Sequence, residues 1–129
     1  MKREFIGIMG KLTCELEDDM GEDVAIIKLG GQADIYTSPE LNKILEAYLA
    51  RGRANLLLDV EDLKYLDSST LATLLRIQKK ATSLGGGLKL LKLEGEPRKV
   101  FEVSGFLNIL ENFDERGAAI RSFKGSNEV

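Results

Sequence analysis

The run Asp67-Ser68-Ser69-Thr70 sets one carboxylate and three hydroxyls side by side. At the start of a helix these residue types cap backbone N–H groups that have no internal partner, and a phosphate can occupy the same place. A second chemistry is nucleophilic, with Ser68 attacking and Asp59, Asp67 or a lysine assisting. That chemistry wants a base, and the chain contains no histidine, so a Ser–His pair is excluded. The Gly-x-Ser-x-Gly elbow of serine hydrolases is absent as well. Enzymatic activity is therefore not expected.

Other candidates are weaker. Cys14 is the single cysteine, which excludes an internal disulfide and a thiolate metal cluster. It lies in the alternating stretch Leu12, Cys14, Leu16 and reads as a small apolar residue. The acidic turn Asp18-Asp19-Met20-Gly21-Glu22-Asp23 lacks the ordered ligand spacing of a calcium loop and reads as solvated. Gly85-Gly86-Gly87 is followed by no Lys-Ser or Lys-Thr, so it reads as a helix stop and tight turn rather than a phosphate cradle. Gly30-Gly31 lacks the third glycine of a dinucleotide loop. No metal and no cofactor are expected.

The elements that must position Asp67–Thr70 follow from periodicity. Leu56, Leu57, Leu58 and Val60 form a short apolar run suited to a strand buried on both faces. Glu61 to Leu66 then reads as a polar loop. Apolar residues at Leu71, Leu74, Leu75, Ile77, Ala81 and Leu84 have helical spacing. Strand 54–60, helix 69–84 and strand 87–93 make a βαβ unit with a right-handed crossover. Upstream, Lys11–Glu17 and Val24–Leu29 form an antiparallel hairpin. A helix starts at Thr37-Ser38-Pro39-Glu40, where Thr37 with Glu40 fits a capping box and Ser38 with Pro39 fits an N-cap followed by Pro. Its apolar face is Leu41, Ile44, Leu45, Tyr48 and Leu49. Downstream, a short helix spans Glu96–Val103, Phe106–Leu110 reads as an edge strand, and Asn112–Phe123 as a last helix.

The chain of 129 residues carries a formal charge of −3, with 43% hydrophobic and 30% charged residues. These values fit one soluble globular domain, and the order of expected elements makes it α/β, a mixed sheet of four to five strands covered by about four helices. The acidic balance offers no electrostatic reason to bind nucleic acid or an anionic membrane, and sparse aromatics argue against base stacking. No apolar run approaches the length of a spanning helix. The N-terminus lacks the apolar region of a secretion signal, so the expected location is the cytoplasm. Residues 1–10 read as an added strand, a tail or part of a homodimer contact. Residues 11–123 form the domain, and 124–129 a flexible tail.

Three patterns in this order resemble the STAS domain family, and within it the bacterial anti-sigma factor antagonists. Gly31-Gln32-Ala33-Asp34 is similar to the family's Gly-Glu-Leu-Asp. Leu58-Asp59-Val60 through Tyr65-Leu66-Asp67-Ser68-Ser69 is similar to its strand and Asp-Ser-Ser segment. Val100 through Gly105 to Phe106 is similar to its closing helix and Ser-Gly-Leu. At Thr70 the family usually carries Gly, so this chain adds a side chain and a third hydroxyl there.

The resemblance implies a protein-binding switch. Its partner would be an anti-sigma factor that is an ATP-binding serine kinase, bound by the unphosphorylated form. The implied acceptor is Ser68, ahead of Ser69 and Thr70, and Asp34, Asp67, Ser69 and Thr70 would contribute to the partner surface. The second function the resemblance allows is a non-switching module docked constitutively in a transport or signalling complex.

Overall fold

A computed structural model describes residues 2–18 and 23–125. Strands β1 (Lys2–Met9), β2 (Leu12–Asp18) and β3 (Ala25–Ala33) run antiparallel in succession. Then come α1 (Ser38–Ala50), β4 (Asn55–Leu66), α2 (Ser68–Ser83), β5 (Gly87–Leu91), α3 (Gly95–Ser104), β6 (Asn112–Phe113) and α4 (Arg116–Gly125). The strands form one sheet in the order β1-β2-β3-β4-β5-β6, and β3 to β6 are mutually parallel. Five strands are long and the sixth has two residues, so the mixed α/β class and its four helices agree with the sequence reading.

The topology explains the layering. Each parallel strand is added on the same side of its predecessor. Successive crossovers of one hand therefore place α1, α2 and α3 on one face of the sheet. The main core fills that interface. Leu12, Cys14, Ile27, Leu29, Leu56, Leu58 and Leu90 of the strands meet Leu41 and Leu45 of α1, Leu74 and Ile77 of α2, and Phe101 of α3, all buried. The opposite face has a smaller core, in which Ile26, Leu57 and Leu91 meet Ala119, Ile120 and Phe123 of α4. Strand β4 is central and contributes to both cores, which is why its apolar run is continuous rather than alternating.

Several local expectations are corrected. Glu61–Leu66 is strand, not loop. Between Lys28 and Gly30, and again between Gly31 and Gln32, β4 spends one more residue than β3. These bulges keep Leu63 and Leu66 on the core side while their spacing departs from two, so the alternation that marks a strand is hidden. Phe106–Asn108 is a 3-10 turn rather than an edge strand, with the N–H groups of Ile109 and Leu110 donating to the Phe106 carbonyl at 3.0 and 2.8 Å. Asn112 and Phe113 pair with β5, and the last helix starts only at Arg116. The capping box at Thr37 does not form: its hydroxyl oxygen accepts the Asp34 N–H at 2.8 Å instead, and no side chain caps α1.

Residues 2–9 take the strand alternative, paired with β2 at the sheet edge. Most of the acidic turn (19–22) and the end of the tail (126–129) lie outside the described residues. The glycine triplet does end α2: Gly85 has φ +89°, and the Gly86 N–H donates to the Ala81 carbonyl at 2.8 Å.

Candidate functional site

Because β3 and β4 are parallel, their C-terminal ends share one rim of the sheet, and the chain leaves each strand there toward a helix. The Asp67 N–H donates to the Ala33 carbonyl at 3.2 Å, which fixes the two exits side by side. From β3 the chain passes through Asp34-Ile35-Tyr36-Thr37. Oδ1 of Asp34 accepts the N–H groups of Tyr36 (2.9 Å) and Thr37 (3.1 Å), a side-chain turn of the kind Asp favours. This geometry turns Ile35 and Tyr36 outward, where they are 62% and 88% exposed.

From β4 the chain enters α2 through Asp67, whose extended backbone (φ −117°, ψ −176°) is that of an N-cap. Its Oδ1 accepts the backbone N–H groups of Ser69 (3.1 Å) and Thr70 (3.2 Å) and the Ser69 hydroxyl at 2.6 Å. Its Oδ2 accepts the N–H of Ile35 at 3.1 Å. Burial pushes the Asp67 pKa up. The Ser69 hydroxyl and the N–H groups of Thr70, Ile35 and Ser69 pull it down further, and the net result lies below the usual carboxylate value. Asp67 is therefore a firmly ionised acceptor.

The three hydroxyls have different surroundings. Ser68 is exposed, and its hydroxyl has no hydrogen-bond partner among the described residues. Ser69 is half-buried and committed to Asp67. Thr70 is 1% exposed. The side chain that replaces the usual glycine thus points into the fold, and the expectation that Thr70 lines a contact surface meets a buried group. The rim brings Asp34, Asp67, Ser68 and Ser69 together. Asp59 lies apart, among Lys28, Glu17 and Lys92.

Nucleophilic chemistry finds no support in this geometry. Both oxygens of Asp67 are occupied by other donors, and neither accepts from Ser68. Cys14 is buried, and burial, with the nearby Glu15 charge, pushes its thiol up to about 12, far from a reactive thiolate. No group of three or more potential metal ligands occurs among the described residues. No described helix is long and apolar enough to cross a membrane.

The sequence reading missed Ile35 and Tyr36. The signal was present: two large apolar residues between Asp34 and Thr37, in a turn segment with no strand or helix period to carry them inward.

A mixed sheet with α1, α2 and α3 on one face and α4 on the other, a hydroxyl-rich helix start and a turn beside it are the features of one family. The profile described as "Mlab, STAS domain" matches residues 16–111, and the chain belongs to the STAS family. A Bordetella bronchiseptica protein named as anti-sigma factor antagonist BtrV is 33% identical over 114 residues, 88% of this chain and 95% of that one. Among solved structures, an anti-sigma factor antagonist from Mycobacterium paratuberculosis superposes with a TM-score of 0.76 at 20% identity, covering 88% of this chain and 94% of that one. The Bacillus cell fate determinant SpoIIAA in its phosphorylated form gives a TM-score of 0.63 at 23% identity, covering 83% and 96%. The chain thus falls among regulatory relatives named as anti-sigma factor antagonists.

Proposed function

We propose that this protein is an anti-sigma factor antagonist of the bacterial cytoplasm that binds an ATP-dependent anti-sigma serine kinase when unphosphorylated and is released when Ser68 is phosphorylated. The observation that carries this reading is the state of Ser68, an exposed, unengaged hydroxyl in the first turn of α2, beside the outward pair Ile35 and Tyr36. Ser69 and Thr70 are poorer acceptors, one tied to Asp67 and the other buried. Asp34 and Asp67 shape the partner surface by fixing its two loops.

Charge decides the direction of the switch. A phosphoserine adds about −1.5 to −2 charge beside ionised Asp67. The helix N-terminus returns only about 0.3–1 kcal/mol to an exposed anion. Burying an unpaired charge in an interface costs about 3–5 kcal/mol. The cost dominates, so modification weakens the complex by roughly a hundredfold or more.

Titration of the kinase with Ser68→Asp and Ser68→Ala tests this. The Asp variant should bind far more weakly, the Ala variant like the unmodified chain, and equal affinities would refute the switch. Phosphopeptide mapping from growing and stressed cells gives the physiological arm, because trypsin releases residues 65–76 as one peptide. Phosphate on Ser68 that changes with condition supports the switch. A peptide unmodified in every condition favours a constitutively docked module instead.

A further inference from the structure

The Asp67 carboxylate is divided between the two halves of the rim. One oxygen caps α2 through Ser69 and Thr70, and the other receives the N–H of Ile35, 32 residues earlier in the chain. We propose that Asp67 is a positioning residue that holds the Ile35–Tyr36 loop in its docking shape, and that a phosphate on Ser68 releases this loop through Asp67. The proposal rests on the reading of Ser68 as the modified residue.

The two oxygens belong to one rigid planar group, so the helix cap and the loop tether cannot be adjusted independently. Asp67 forms no ion pair with a described residue that could absorb further negative charge. A phosphate on the next residue would repel the carboxylate and compete for the same first-turn N–H groups. Either effect turns the carboxylate away from the helix, and Oδ2 leaves Ile35 as it turns. The base of the loop stays in place, because Asp34 rather than Asp67 holds the N–H groups of Tyr36 and Thr37. What moves is the segment at Ile35. Phosphorylation thus places charge at Ser68 and also withdraws a neighbouring apolar contact.

Asp67→Asn separates the two roles. Asn is as good an N-cap as Asp, so Oδ1 continues to serve Ser69 and Thr70. Its amide nitrogen is a donor and cannot accept from Ile35. Amide exchange at Ile35, followed by NMR, is the readout that a purely helix-capping role would not move. Exchange at Ile35 should quicken at least about tenfold in Asp67→Asn and in a chain carrying phosphoserine at 68, with the α2 amides still protected. Partner affinity of Asp67→Asn should fall roughly tenfold, or 1.4 kcal/mol. An Ile35 amide as slow in both altered chains as in the unmodified one overturns the proposal. If the kinase binds the phosphoserine chain and the unmodified chain equally while Ile35 is released as expected, the tether stands and the partner switch proposed above fails.

Discussion

Two aspartates eight residues apart show how local surroundings assign different roles to one side chain. Asp67 gathers donors and stays charged. Asp59 is buried on β4, and that burial raises its pKa above the ordinary value. The Glu61 N–H and the Lys28 charge oppose the rise, Glu17 adds to it, and Lys92 opposes it. The native state therefore holds the Asp59 proton more tightly than the unfolded chain does. Its contribution is destabilising at pH values above the native pKa and vanishes below the unfolded value of about 3.9. Asn keeps the acceptor for Glu61 N–H without the charge. Asp59→Asn should thus raise the thermal midpoint near pH 7, with the gain shrinking to nothing on acidification; a gain constant with pH would contradict this. Residue type alone exposed the Asp67–Thr70 cluster. It could not distinguish an engaged Ser69 and a buried Thr70 from a free Ser68, because that distinction depends on which way the first turn of α2 faces.

At the scale of elements, the readings that held rest on strong periodicity: α1, α2, the β2–β3 hairpin and the β4–α2–β5 unit. Those that failed lie where a backbone irregularity masks the period, as in the bulged end of β4, or where an element is very short, as in β6. The same irregular zone contains a position with little freedom. Gly31 has φ +89°, and a Cβ there would stand 2.1 Å from the Lys11 carbonyl oxygen, which accepts the Gln32 N–H. Gly31→Ala combines a left-handed backbone with a clash against main chain, and should cost about 2 kcal/mol or more in urea unfolding. The resemblance of Gly31-Gln32-Ala33-Asp34 to a family motif therefore has a packing cause: β3 passes close to the turn that enters β2.

Across the whole molecule, the two cores differ in size and in what they support. The large one locks α1, α2 and α3 to the sheet and so holds the rim. The small one attaches α4, aided by the Lys89 ammonium, which lies 4.7 Å from the Phe123 ring centroid and donates to the Ser122 hydroxyl at 2.9 Å. Phe123→Ala should loosen α4, read as rapid amide exchange across 116–125, while exchange at Ile35 and at the start of α2 stays slow. Simultaneous loss of both would mean that the two faces of the sheet are one cooperative unit. Fold class was legible because the order of apolar periods dictates it. Which helix would cover the second face was not, since the last segment carries a weak period broken by Gly117.

The Asp67–Ile35 bond also depends on the crossover between β3 and β4. Its two ends are brought together only when β4 has come to lie alongside β3, with α1 packed between them in the chain. A nascent or truncated chain that stops short of Leu66 has no such rim to display, and a short peptide around Ser68 carries the hydroxyl without the loop beside it. A partner that read both halves of the rim would therefore engage only copies whose crossover has already closed.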